Sequence, residues 1–266
     1  MKNVLLLVHD DIGQEARFRA AIDVTRALGG HLQCLDVVNL IPWPIDAAEG
    51  SGITVNFDRK MEAKNKSNLL DRLVEEKISW EWIESTGPIA PAILQASSKL
   101  IDLIVVNRRL DNYPIPNMDR IVGDIIVRSN LPVLAVPEST SGIEFGGAAL
   151  IAWDGSSAAS AALAAAVPLL KLAAAVRLLE IDDGSVQTAA TEAAAYLSRH
   201  GINAEIVIED SEFSKAPSLL LAHSSSGQFA YIVMGGFGHN RFIEAVFGGV
   251  TRMMLDRSPI ALLMAH

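Results

Sequence analysis

The sequence predicts an α/β protein built from two tandem copies of one domain, each a five-stranded parallel sheet that is doubly wound by helices. Short runs of Val, Ile and Leu alternate with longer stretches of helical periodicity. This alternation is typical of a parallel sheet with helices on both faces. The apolar runs are nearly continuous, as expected for strands that are covered on both sides. The third observation is that the whole pattern occurs twice.

The two copies align from their first strands onward. The strand that ends at Asp10 corresponds to the strand that ends at Asp154, and the alignment continues without a gap to Leu35 and Leu179. A repeat of this length indicates a duplicated folding unit rather than a chance similarity.

Two later segments repeat as well, since residues 101–109 match 229–237 and residues 129–138 match 256–266. The segment between the copies is rich in Pro, Ser and Gly, which are typical of connections. We therefore predict domains at 1–138 and 147–266, with a short linker between them.

Each copy contains the same order of elements. In the first copy we predict strands near residues 3–8, 32–38, 78–84, 102–107 and 132–136. In the second copy we predict strands near 148–153, 176–181, 202–208, 230–235 and 259–264. Helices of the second copy are predicted near 157–172, 186–200, 214–226 and 241–257.

Composition argues against several classes of partner. The net charge of the 266 residues is −9, and no stripe of basic residues occurs, so neither nucleic acid nor an anionic membrane is expected as a partner. The Ala-rich stretch 155–170 contains Pro168 and is shorter than the ~20 residues a membrane span needs, so we expect a buried helix. Cys34 is the only cysteine, which fits a reducing, cytoplasmic location and an inert buried thiol.

A set of glycines follows the fourth predicted strand of the second copy. Gly235 and Gly238 lie at its carboxyl end, and Gly248 and Gly249 precede the helix that leads to the last strand. Glycine lets the backbone turn sharply and approach a ligand closely. Backbone N–H groups at a helix start form a cradle for anions, so two such segments could hold a polyphosphate.

The glycine spacing resembles that of the universal stress protein family. Its nucleotide-binding members carry Gly, two residues, Gly, nine residues, Gly, then Ser or Thr; Gly235, Gly238 and Gly248 match this pattern. The strand end at Asp154 and the final strand are also similar, so the resemblance covers essentially the whole chain. It implies two tandem domains with the adenine nucleotide alpha hydrolase-like fold.

The resemblance implies a ligand and its contacts. ATP or a related adenine nucleotide, with Mg²⁺ as its counterion, would lie in the second copy. Asp154 would accept a hydrogen bond from ribose or adenine, Ile181 would line the base, and Gly235, Gly238, Gly248 and Gly249 would surround the phosphates. Members that resemble this chain pair their last strands across a dimer. The two copies are therefore expected to form an internal pseudo-dimer, and a homodimer of the whole chain is also compatible.

Both copies depart from the family pattern. Gly249 stands where the family has Ser or Thr, which removes a hydroxyl that would contact phosphate, and Thr251 would be rotated away by the start of the helix. In the first copy Asn107 and Arg108 stand where the second copy has Gly235 and Gly236, so we expect a degenerate site. Arg108 and Arg109 could hold a phosphate by their charge, but we expect a solvated or ion-paired arginine pair.

Three functions remain open from the sequence. The first is a regulatory stress-response protein that binds an adenine nucleotide. The second is a slow ATPase or a nucleotidyl-transfer enzyme of the same architecture, although the motifs of adenylating enzymes do not occur and no catalytic or metal-binding residue is assigned. The third is a structural or protein-binding module whose pockets bind no nucleotide.

Overall fold

The computed structural model describes residues 1–38, 51–108, 118–211, 215–237 and 249–266. In chain order the strands are β1 Asn3–Val8, β2 His31–Val38, β3 Ser79–Thr86, β4 Leu103–Asn107, β5 Val133–Val136, β6 Ala148–Trp153, β7 Ala175–Asp182, β8 Ala204–Asp210, β9 Tyr231–Gly235 and β10 Ala261–Ala265. The helices are α1 Gln14–Leu28, α2 Ser51–Glu75, α3 Ile89–Ser97, α4 Met118–Ser129, α5 Ser157–Leu170, α6 Ala190–Arg199, α7 Ala216–Ser224 and α8 Gly249–Arg257. The predicted alternation of strands and helices is confirmed.

The described strands form one ten-stranded sheet in the order β3-β2-β1-β4-β5-β10-β9-β6-β7-β8. The strands of each half are parallel to one another. In both halves the chain moves outward from the first strand, then returns to that strand's other side for the fourth. The predicted doubly wound fold is therefore confirmed in each half.

The two halves meet at an antiparallel pair of strands. Leu262 of β10 lies opposite Ala135 of β5, and Leu263 lies opposite Leu134. All four side chains are fully buried, with no exposed surface. The sheet thus continues from one half into the other without an exposed edge between them, which removes two edges that would otherwise be open to association.

The segment 137–147 connects β5 to β6 without a helix or strand, but it is not solvated throughout. Ile143 and Phe145 are buried, and the backbone N–H of Ile143 donates to the carboxylate of Asp23 at 2.9 Å. The ring of Phe145 lies 5.2 Å from that of Tyr231. The connection therefore packs against helix α1 of the first half and strand β9 of the second.

Apolar side chains form one core on each face of the sheet. Cys34 lies in the first of these with no exposed surface, and burial raises the pKa of its thiol to about 12, which fits the expected inert thiol. Most of α5, the Ala-rich stretch, is buried against the same face, and Pro168 lies inside that helix. No helix among the described residues is long and apolar enough to cross a membrane.

Helix α6 begins four residues later than the sequence predicts. The carboxylate of Asp182 accepts a hydrogen bond from the N–H of Gly184, and that of Asp183 accepts one from the N–H of Ser185. Gly184 has a φ of +82°, which favours glycine. These local bonds favour a turn over a helix, so α6 begins only at Ala190.

Because the halves share one sheet, we expect them to unfold together when their junction is weakened. Leu134→Ala removes a fully buried side chain beside β10 and should cost about 2–5 kcal/mol. Chemical denaturation followed by circular dichroism should show a single transition at lower denaturant. Leu100→Ala, at a site that is 88% exposed, is the matched control and should change stability by less than ~0.5 kcal/mol. Two separate transitions in Leu134→Ala would contradict the shared unit.

Candidate functional site

The candidate site lies where the strand order of the second half reverses. From β6 the chain continues through β7 and β8 on one side, then crosses to β9 on the other side of β6. Ligands of doubly wound sheets bind in the crevice beyond the carboxyl ends of such strands. Asp154 follows β6 directly, and Gly235 is the last residue of β9, so the fold places both at this crevice.

Asp154 is exposed, and both its side chain and its backbone accept hydrogen bonds. Its Oδ1 accepts a hydrogen bond from the N–H of Ser156 at 2.9 Å, and its carbonyl accepts one from the N–H of Gln187 at 2.9 Å. Ser156 in turn caps helix α5, since its hydroxyl accepts a bond from the N–H of Ala159 at 3.1 Å. One oxygen of the carboxylate is thus bonded to the turn at the strand end, while the side chain as a whole stays exposed to solvent.

Contacts that the sequence did not predict hold the loop beside Asp154. The indole Nε1 of Trp153 donates to the carbonyl of Thr188 at 2.7 Å. A Cβ at Gly155 would lie 2.0 Å from the N of Thr188, and this glycine has a φ of +73°. The buried carboxylate of Glu180 accepts a bond from the N–H of Ala190 at the start of α6. The sequence signal was Glu180 itself, an acid within an otherwise apolar run.

Gly235 is required by helix packing. A Cβ at this position would lie 2.6 Å from the N of Ala159 and 2.8 Å from the carbonyl carbon of Ala158. Both contacts are to the backbone of α5, which therefore approaches the end of β9 more closely than any side chain would allow. This packing accounts for the glycine, and a role for Gly235 in binding stays a prediction.

Two described residues follow β9. The N–H of Gly236 donates to the carbonyl of Ala265 at 2.8 Å, and Phe237 has a φ of +62°, which is uncommon for a residue with a side chain. Gly238 and Gly248 lie outside the described residues, so the contacts predicted for them stay predictions.

Gly249 is the first residue of α8 and is exposed. A Cβ added there would meet no atom of the described residues within 4 Å. The first backbone N–H groups of a helix have no partner inside the helix and favour an anion. Thr251 is only 6% exposed, in keeping with the expectation that the helix start turns it away. Gly249 is therefore the position in the described part of α8 where an added Cβ meets no described atom within 4 Å.

Ile181 is half-buried near the end of β7, where it packs against a core cluster. Strands β6 and β7 are parallel neighbours, so Ile181 and Asp154 lie at the same end of the sheet. Within the ranges that the structure describes, no group of three or more His, Cys, Asp or Glu side chains could hold a metal ion.

The equivalent crevice of the first half is filled by a buried arginine. The guanidinium of Arg17 has no exposed surface and lies between the ends of β1 and β4. It donates to the carbonyls of Leu7 and His9 at 2.7 and 2.6 Å, to the carboxylate of Asp11 at 2.8 Å, and to the side-chain carbonyl of Asn107. The buried position of Arg17 was not predicted from the sequence, because nothing in the helical periodicity marks this arginine as buried.

Asn107 helps to close this crevice. It has no exposed surface, and its amide also donates to the carbonyl of Val136 at 3.2 Å. A Cβ at Gly13 would lie 2.6 Å from the Asn107 side chain. In the first half, Gly13 before the helix leaves room for the Asn107 side chain at the strand end. In the second half, Gly235 at the strand end leaves room for the backbone of the helix. The sequence did not predict one contact of Arg108, whose guanidinium donates to backbone carbonyls in the last turn of α8.

The strand order and the groups at the reversal point define a tandem, doubly wound α/β protein with a candidate site in its second half. Neither the protein-family models nor the curated proteins gave a match. Among solved structures, the chain is similar to a universal stress protein from Archaeoglobus fulgidus DSM 4304, with a TM-score of 0.72 and 16% identity over 99% of this chain and 95% of that one.

A second similar structure is a protein of unknown function from Pseudomonas aeruginosa PAO1. It has a TM-score of 0.62 and 17% identity over 100% of this chain and 92% of that one. The chain therefore has the fold of a universal stress protein over its whole length, and the resemblance predicted from the sequence is confirmed at the level of the fold.

We expect Gly235→Ala to destabilise the protein by about 1–3 kcal/mol, because the new methyl group would overlap the backbone of α5. Thermal and denaturant unfolding would measure the loss. Gly249→Ala is the matched control, since its Cβ meets no described atom within 4 Å and alanine favours a helix. Equal stabilities of the two variants would show that α5 does not restrict position 235.

Proposed function

We propose that the chain is a universal stress protein with a regulatory function in the stress response. Its second half would bind ATP or a related adenine nucleotide at the crevice between β6 and β9. The observation that carries the proposal is the exposed carboxylate of Asp154 at the strand-order reversal, in the half whose fourth strand ends in Gly235 and whose α8 begins at an open Gly249.

The described groups are suited to the two ends of a nucleotide. The carboxylate of Asp154 can accept a hydrogen bond from a ribose hydroxyl or from the adenine amine, and Ile181 offers apolar surface to the base. The N–H groups at the start of α8 can donate to phosphate oxygens. Mg²⁺ commonly binds through phosphates and water with few protein ligands, so it could accompany the nucleotide here.

The first half serves in this proposal as a scaffold. Arg17 occupies the corresponding crevice and is bonded to Asp11 and Asn107, so opening that space would leave a buried ion pair broken. A nucleotide would have to displace these bonds. The single occupied site would then lie in the second half.

Two further proposals accompany this function. The β5–β10 pairing supports an internal pseudo-dimer of the two halves, which leaves a homodimer of the whole chain as a separate possibility. The reducing environment inferred from the single buried Cys34 supports a cytoplasmic location.

A slow ATPase is the alternative activity at the same site, and ADP formed over time from bound ATP would favour it.

The sharpest test of the site is Asp154→Asn. Asparagine retains a carbonyl oxygen that can accept the Ser156 N–H, so the turn is preserved while the negative charge is lost. Calorimetric titration with ATP and Mg²⁺ should show affinity reduced about tenfold or more, as expected for a hydrogen bond to a charged acceptor.

The matched control is Asp10→Asn, which makes the same change at the aligned, exposed position of the first half. It should leave ATP affinity unchanged. If both variants lose affinity equally, the nucleotide is not held specifically in the second half. If the wild-type protein neither binds ATP nor releases an adenine nucleotide when denatured, the chain is better described as a structural or protein-binding module.

Gly249→Ser should strengthen ATP binding by about three- to tenfold. It restores the hydroxyl found at this point in the similar family, in a place where a Cβ meets no described atom within 4 Å. Comparison with Gly249→Ala separates the hydroxyl from the gain in helix propensity. An equal rise in affinity for Ser and Ala would show that helix stability, and not a phosphate contact, limits binding.

A further inference from the structure

Arg108 lies immediately after β4, at the position that Gly236 holds after β9. Matching backbone bonds establish this equivalence. The N–H of Arg108 donates to the carbonyl of Val136 in β5 at 3.0 Å, and the N–H of Gly236 donates to the carbonyl of Ala265 in β10 at 2.8 Å. The backbones are alike, and the side chains differ completely.

The side chain of Arg108 crosses from the first half to the second. Its Nη1 donates to the carbonyl of Leu255 at 2.8 Å and to the carbonyl of Asp256. Both carbonyls belong to the last turn of α8. The final carbonyls of a helix have no partner inside the helix, and a positive charge there is favourable. Arg108 is thus a helix cap supplied by the other half of the chain.

The equivalent position after β9 cannot supply a matching contact to the end of α4. Glycine at position 236 has no side chain that could reach back to the first half. The approximate symmetry of the two halves is therefore broken at this point, and a cation from the first half holds the helix that begins at Gly249.

Helix α8 has nine residues and spans roughly 13 Å. A short helix moves as a rigid body, so fixing its last turn also fixes the direction of the N–H groups at its start. We propose that Arg108 is a positioning residue that orients α8 and so makes nucleotide affinity in the second half depend on the first half. This inference rests on the proposed function for its ligand, but not for the placement of α8.

Other contacts keep α8 folded without Arg108. Met254 and Leu255 are at most 1% exposed, and the N–H of Ser258 donates to the carbonyl of Met254 at 2.9 Å. The hydroxyl of Ser258 donates to the carbonyl of Ile260 at 2.8 Å. Removal of the arginine should therefore change how firmly the helix is oriented, while the helix itself persists.

The test uses Arg108→Ala, Arg108→Lys and Arg128→Ala in the full chain. Arg128 is an exposed arginine in the last turn of α4, so its removal makes the same charge change in the first half. Calorimetry with ATP and Mg²⁺ is performed well below the melting temperature of each variant. Hydrogen exchange of the α8 amides is measured without ligand.

We expect Arg108→Ala to bind ATP about tenfold more weakly and to exchange its α8 amides about tenfold faster. Arg108→Lys keeps a charged donor but has one nitrogen instead of a planar fork, so it should recover part of both losses. Arg128→Ala should match the wild type in both measurements.

The results separate this inference from the proposed function. A lower melting temperature in Arg108→Ala with unchanged ATP affinity would overturn the positioning role, because the arginine would then only stabilise the fold. If the wild type binds no ATP, the proposed function fails, and hydrogen exchange alone tests whether Arg108 positions α8. Unchanged exchange of the α8 amides in Arg108→Ala then overturns the inference. Faster exchange confined to α8 supports its placement by Arg108.

Discussion

The antiparallel pairing of β5 with β10 determines the arrangement of everything else. All strands within one half are parallel, so this single antiparallel pair makes the strands of the two halves run in opposite directions. The carboxyl ends of the strands in one half therefore point away from those in the other. The pair also brings the beginning of β10 beside the end of β5. Helix α8 immediately precedes β10, so its last turn falls next to the end of β4, where Arg108 can reach it.

The two crevices have the same backbone arrangement but different side chains. In the first half, Arg17 lies between two strand ends, and its buried charge is balanced by Asp11 and several carbonyl groups. In the second half, Ala161 stands at the aligned position and is half-buried. A buried ion pair is costly to break, so the first crevice is held closed by its own bonds. The second has no arginine at that position to hold it closed.

The sequence was sufficient for the fold and insufficient for the site. Apolar runs and the internal repeat predicted the strands to within a few residues, because burial on both faces leaves an unmistakable pattern. The buried position of Arg17 and the cross-half contact of Arg108 depend on distant parts of the chain, and no local pattern reports them. The same limit applies to α6, whose start was displaced by side-chain bonds of Asp182 and Asp183.

A position in a glycine motif can require glycine for close packing of the backbone or for binding a ligand, and the structure distinguishes these two reasons. Gly235 is glycine because the backbone of α5 lies against it, and this demand would persist if no ligand ever bound. Gly249 meets no such neighbour within 4 Å among the described residues. Packing therefore accounts for part of the resemblance to a nucleotide-binding pattern. The features that support a ligand are the exposed carboxylate of Asp154 and the start of α8 at Gly249 in the same half.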